Sequence, residues 1–212
     1  MNISILTTAT KHPVHAHLER WMAENAEHKV SMFHSSDQIT SGDILFLVSC
    51  SEILPISQRK EFKKVLVIHA SNLPYGRGWS PHIWAIINGA TEITLSLLEA
   101  EDSVDTGNIW RQVSIPVPKT AIFNEINELI FSAELKLMDY AVKNFYTVEP
   151  ERQPDIYTRP WPKRSPKDSL VDINQTIDSQ FDLIRVCDPN RFPAYFYKNG
   201  VRFNIKIEKH HE

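Results

Sequence analysis

Two cysteines in 212 residues are too few for a disulfide framework, so Cys50 and Cys187 are read as free thiols in a reduced, cytoplasmic protein. The N-terminus MNISILTTATKHP has no basic stretch followed by an apolar signal core, and no run approaches the roughly 20 apolar residues that span a bilayer. There is no basic excess either. A formal net charge of −3 argues against a general binder of nucleic acid or of anionic membrane, which leaves small molecules as the default partners. Covalent serine chemistry lacks its nucleophile elbow, because Ser71 in HASNLP has neither glycine of GxSxG. No HExxH pair occurs, and HPVHAH is read at a helix start where His15 and His17 face apart, so no metal is expected.

What is present is enough for a sizeable core. With 42% hydrophobic residues the chain can build one α/β domain with an appendage. Asn2 to Leu6, Lys29 to Phe33, the continuous apolar run Asp43 to Val48, Val65 to Ile68, Thr91 to Leu98 and Trp110 to Val117 read as strands. Val14 to Asn25, Ser57 to Lys64 and Trp79 to Asn88 read as helices, the last ended by Gly89; Thr120 to Val148 has apolar residues at three- and four-residue spacing. The alternation predicts an open, mostly parallel sheet, with ligands beyond the carboxyl ends of its strands.

Five prolines between Glu149 and Lys167 predict a linker or extended arm. Asp172 to Val186 is expected to be a helix, and Phe192 to Tyr197 with Val201 to Ile207 a hairpin turning at Asn199-Gly200. The division expected is therefore residues 1–148, a linker over 149–167, and a small α+β appendage over 168–212. The terminal Lys209-His210-His211-Glu212 is read as a frayed or tag-like tail. Residues 151–212 hold eleven Lys and Arg against nine Asp and Glu, a weak basic surface for a tRNA appendage. Arg159, Lys163, Arg164 and Lys167 are either solvated or able to receive one diphosphate.

The stretch Val65 to Ile109 concentrates the polar chemistry. His69 ends an apolar strand and Asp105 stands in a turn some thirty-five residues on. Alone, a histidine there is a core residue, a metal ligand, or an acid, base or electrophilic helper. In HASNLPYGRGWSP followed by Asp105-Thr106-Gly107, however, the chain resembles the 10-formyltetrahydrofolate-dependent formyltransferases. His69, Ser71, Leu73, Pro74, Arg77, Gly78, Asp105 and Gly107 match that pattern, and Val67 stands where the family has asparagine. GRGWSPHIW, together with RSPKD and the later Ile184-Arg185, looks most like the enzymes that formylate nucleotide-linked amino sugars, including those of the pseudaminic-acid pathway. The TTATKHP after the first strand lacks the glycine-rich phosphate loop of the purine-pathway relatives.

The resemblance implies a Rossmann-like fold, 10-formyltetrahydrofolate as co-substrate, and a nucleotide-linked amino sugar as acceptor, with no metal, nucleic acid or membrane and with a homodimer allowed for. Protonated His69 would stabilise charge on the formyl oxygen, and Asp105 would hold its ring and take the amine's proton. Asn72 is assigned the missing asparagine's donor role, although capping a turn explains it as well. Ser49, Cys50, Ser51, Glu101, Asp102 and Val104 would hold the folate, Cys50 as pocket wall or as a plain buried residue. Thr10, Lys11, Ser71, Tyr75, Arg77, Gly78 and Trp79 would meet the acceptor, with helix capping the other role for Thr10 and helix packing for Trp79. A non-catalytic folate or nucleotide binder and a formyl-folate hydrolase are the alternatives.

Overall fold

The computed structural model describes residues 1–210, so His211 and Glu212 of the expected tail lie outside the described residues. Six strands form one sheet in the order β2-β1-β3-β4-β5-β6: β1 (Asn2–Leu6), β2 (Lys29–Phe33), β3 (Gly42–Leu47), β4 (Phe62–His69), β5 (Glu92–Glu99) and β6 (Ile109–Pro116). The first four pair in parallel, and β5 is antiparallel to both β4 and β6. The mostly parallel α/β architecture expected is therefore present. A two-stranded antiparallel sheet, β7 (Ala194–Lys198) and β8 (Val201–Ile205), follows near the C-terminus, turning at Asn199 and Gly200 with φ of 52° and 77°.

The two faces of the sheet are covered unequally. On one, α1 (His15–Glu24), α3 (Pro81–Ile87) and the long α4 (Phe123–Lys143) bury Leu18, Trp21, Ile86, Ile130 and Met138 against Ile5, Phe46, Leu66 and Leu95. On the other, Leu45, Leu47 and Val65 have only Leu54, Phe62 and their neighbours above them, and Cys50, Val67 and Ala100 remain half-buried. Alternation along β4 sends Val65, Val67 and His69 to this thinner side.

Three expected elements differ. The helix over Ser57 to Lys64 is a single turn, α2 (Ile56–Arg59), because Phe62 and Lys64 instead pair with Gly42 and Ile44 of β3 and the Phe62 ring is buried. His69 is consequently the last residue of β4, in register with Ser96, not the residue after it. The helix over Asp172 to Val186 shrinks to a 3₁₀ turn at Asp178–Gln180 and α5 (Phe181–Arg185). Asp172 Oδ1 accepts from the Asn174 backbone N–H, and Gln180 bonds both backbone groups of Asp172, so side chains take the partners a helix would need. Near the C-terminus the Lys209 side chain pairs with Glu125. Buried Arg185 ties the C-terminal segment to the carbonyls of Pro118 and Ala121.

One glycine is dictated by a close approach. A Cβ on Gly107 would fall 1.8 Å from the Glu99 carbonyl oxygen, so the loop between β5 and β6 returns along β5 only because that atom is missing. Gly107→Ala is expected to cost about 2 kcal/mol or more in urea unfolding, as overpacking against backbone does. A loss under about 0.5 kcal/mol would show that the loop has another path.

Candidate active site

His69, at the end of β4, and Asp105, in the loop after β5, are both buried and face one another, Nδ1 to Oδ1 at 3.4 Å. The other ring nitrogen, Nε2, lies 2.9 Å from the Gly76 carbonyl oxygen and must carry a proton to bond it. Asp105 adopts a left-handed conformation with φ of 58°, which turns its carboxylate inward, and its second oxygen accepts from the Gly78 N–H at 3.0 Å. The histidine and the aspartate picked out by the sequence therefore share one site with the Arg77-Gly78 turn.

The Pro-rich arm packs on the loops around this site, and Gln153 alone of its residues bonds the backbone of the Asp105 turn, a contact the sequence does not signal. Buried Gln153 donates through Nε2 to the carbonyls of Asp105 (3.0 Å) and Gly107 (2.8 Å), while its Oε1 accepts from Arg77 Nη2 (2.8 Å). The Trp161 N–H donates to the Arg77 carbonyl and the Trp161 carbonyl accepts from the Trp79 N–H, and a Cβ on Gly78 would lie 2.5 Å from that carbonyl oxygen. Thr158 Oγ1 donates to the Pro74 carbonyl, and the Trp84 indole stacks on Trp161. A lone glutamine among prolines follows no recognised motif. Trp161 was visible only as an aromatic residue between two prolines.

The other expected site residues fall into two groups. Around the thin face, Ser49 has φ of 48°, Ser51 donates its N–H to Thr8 Oγ1, and Cys50 is half-buried with its thiol pushed up by burial. Asp102 pairs with buried Arg59, which also donates to the Ala100 carbonyl, whereas Glu101 and Val104 are exposed. Val67 packs on the same apolar cluster and carries no donor.

Toward the acceptor side, Ser71 is buried under Gly76 with no partner for its hydroxyl among the described residues, and Asn72 is exposed with its carbonyl bonded by the Tyr75 N–H. Tyr75 and Trp79 are exposed, with Lys163 4.5 Å from the Trp79 ring centre. Arg77 is committed to Gln153, so its guanidinium is not wholly free for a phosphate. Thr10 and Lys11 are exposed on the loop after β1; α1 starts only at His15, so Thr10 does not cap it. Of Arg159, Lys163, Arg164 and Lys167, Arg164 is tied to Asp168 and Ser169.

Two further histidines, His12 and His82, lie near one another, and His82 also lies near His69. Burial, then the charges of Arg191 and His15, push His12 down to about 4. Burial, with His12, His69 and Arg164 nearby, does the same to His82, whose Nδ1 is buried without a partner among the described residues. Both are neutral imidazoles at neutral pH. Among the described residues no group of three or more His, Cys, Asp or Glu is arranged to hold a metal, and no helix is long and apolar enough to cross a membrane.

Residues 4–142 match the model of the family described as formyl transferase. A methionyl-tRNA formyltransferase of Desulfotalea psychrophila is 34% identical over 143 residues, which are 65% of this chain and 43% of that protein. The chain thus spans less than half the length of that relative. HypX from Aquifex aeolicus in complex with tetrahydrofolic acid superposes with a TM-score of 0.74 at 21% identity, over 95% of this chain and 36% of that one. A sugar N-formyltransferase from Shewanella sp. gives a TM-score of 0.71 at 14% identity, over 100% and 99% of the two chains. At these identities the structures speak for the fold.

The perturbed groups bend stability with pH in opposite directions. Between about 4 and 6.5 the unfolded chain protonates His12 and His82 more readily than the native state does, so stability falls as pH drops through that window. Glu134 on α4 is pushed by burial to about 8 from 4.5, with Oε2 unpartnered among the described residues, so stability falls as pH rises from about 4.5 to 8. Two groups outweigh one below 6.5 and Glu134 acts alone above it. Denaturant unfolding is expected to show a maximum near pH 6.5, with slopes of roughly 1 kcal/mol per pH unit, and Glu134→Gln should flatten the alkaline side. A wild-type curve still rising from pH 6.5 to 8 would contradict a buried, protonated Glu134.

Proposed function

From the premise that the chain belongs to the formyl transferase family, we propose that it moves a formyl group from 10-formyltetrahydrofolate to the amine of a nucleotide-linked amino sugar. The observation that carries the reading is the buried His69–Asp105 pair at the carboxyl edge of a mostly parallel sheet, where such sheets bind ligands. The thin face suits a flat ring system: Cys50, Val67 and Ala100 offer apolar walls, the Ser71 hydroxyl is an unused polar group, and the loops at Ser49 to Ser51 and Glu101 to Val104 supply peptide groups. When bound, the formyl-folate supplies the electrophilic carbonyl. HypX, described in complex with tetrahydrofolic acid, lends the folate assignment support.

The chain's own groups then have distinct roles. The Gly76 bond fixes the His69 ring, and the Asp105 contact at 3.4 Å is longer than an ordinary hydrogen bond, so Nδ1 is the nitrogen available to an oxygen gaining negative charge. The amine nitrogen bonds the formyl carbon, the bond from that carbon to the folate nitrogen breaks, and the proton shed by the amine reaches the leaving nitrogen by way of Asp105. Asn72, exposed on the turn, is the proposed second donor in place of the side chain Val67 lacks. Exposed Tyr75 and Trp79, with Lys163 over the Trp79 ring, favour an acceptor carrying an aromatic base and negative charge. In this reading residues 1–148 form the catalytic unit, 149–167 an arm and 168–212 a smaller appended unit.

The Desulfotalea relative favours a second acceptor, methionyl-tRNA. Val67 favours a third reading, a folate binder without transfer. Tetrahydrofolate release from 10-formyltetrahydrofolate, measured with nucleotide-linked amino sugars, with methionyl-tRNA and with water alone, separates them. Turnover is expected only with an amino sugar, and to fall at least about a hundredfold in His69→Ala and in Asp105→Ala. Near-normal rates in both variants would remove the site assignment, and release with tRNA alone would replace the acceptor.

A further inference from the structure

The carbonyls on either side of Thr106 belong to the turn that carries Asp105, and both are held by one buried side-chain amide that lies beyond the residues matched by the family, 4–142. That amide is Gln153. Its oxygen takes Arg77, whose own peptide leads into Gly78, the donor to the Asp105 carboxylate. One side chain thus grips the aspartate's backbone and, through Arg77, the turn that grips its carboxylate. Asp105 needs such support because a non-glycine residue at φ of 58° persists only where its surroundings over-determine it.

We propose that Gln153 is a positioning residue, which sets the Asp105 carboxylate against His69. The inference rests on the formyl-transfer reading. Glutamine is the residue the geometry needs: two N–H donors on one nitrogen meet two carbonyls, and an acceptor meets the guanidinium. Glutamate in its place keeps the bond to Arg77 but sets a carboxylate against the carbonyls of Asp105 and Gly107. Methionine keeps the volume and makes none of the three bonds.

The test compares Gln153→Met and Gln153→Glu with Thr158→Val, which loosens the same arm at the Pro74 carbonyl without touching Asp105. Each protein is assayed well below its own melting temperature. Both Gln153 variants are expected to lose about tenfold to a hundredfold in kcat, with KM for the formyl donor within about twofold, as a displaced catalytic group does. Thr158→Val should keep kcat near wild type. In spectra of protein labelled with ¹⁵N-histidine, the His69 ring resonances should move in the Gln153 variants and stay in Thr158→Val. Unchanged kcat in the Gln153 variants, or an equal fall in Thr158→Val, overturns the proposal; if Gln153→Met does not fold, Gln153→Glu carries the comparison. Should wild-type protein transfer formyl to no acceptor and to no water, the transfer reading fails by itself, and His69 resonances that do not move in the Gln153 variants then overturn the bracket.

Discussion

The carboxylate of Asp105 meets His69 because the chain leaving β5 doubles back along it, and that return has no slack. Gly107 passes against the Glu99 carbonyl at a distance that excludes any side chain, and Asp105, two residues earlier, is forced into a left-handed conformation. Everything around the site answers this constraint. Gly78 presents its N–H to the carboxylate, Gln153 takes the carbonyls that the turn exposes, and Arg59 fastens the beginning of the loop at Ala100 and Asp102. A backbone so bent stays bent only when each freed polar group finds a partner, since burial without one costs about 1–3 kcal/mol per group.

Much of the sheet was legible from residue pattern alone. Asp43 to Val48 is a continuous apolar run because its strand has neighbours on both sides and a covering on both faces. The start of β4 was hidden by Lys63 and Lys64, which made Ser57 to Lys64 resemble a helix until pairing with Gly42 and Ile44 decided otherwise. Asp172 to Val186 misled for the opposite reason: its apolar spacing suits a helix, but the side chains of Asp172 and Gln180 satisfy the backbone locally. In the site, His69 and Asp105 could be picked out because a matched pattern holds them at fixed places. Gln153 could not, since two of its three partners are backbone atoms nearly fifty residues away, and backbone leaves no mark on composition.

The unequal covering of the sheet bears on the chemistry. The helix-covered face supplies the rigidity of the fold, while the thinner face carries His69 and leaves Val67, Cys50 and Ala100 half-buried. An apolar wall beside an ionisable pair lowers the local dielectric and strengthens each directed contact, as the proposed transfer would need for charge appearing briefly on one oxygen. Val67 belongs to that wall and donates nothing. In the proposed transfer, orienting the reacting oxygen would therefore fall to His69 and to donors on the turn that follows it.

The arm also sets when the site comes into being. A ribosome releases the chain from its N-terminus, and the six strands and α4 are complete by Lys143, well before Gln153 and Trp161 appear. Until those residues emerge, the turn at Asp105 has two unheld carbonyls and the Arg77-Gly78 turn has no strand to lean on. The nascent protein can thus own its sheet while the geometry around His69 and Asp105 is still open.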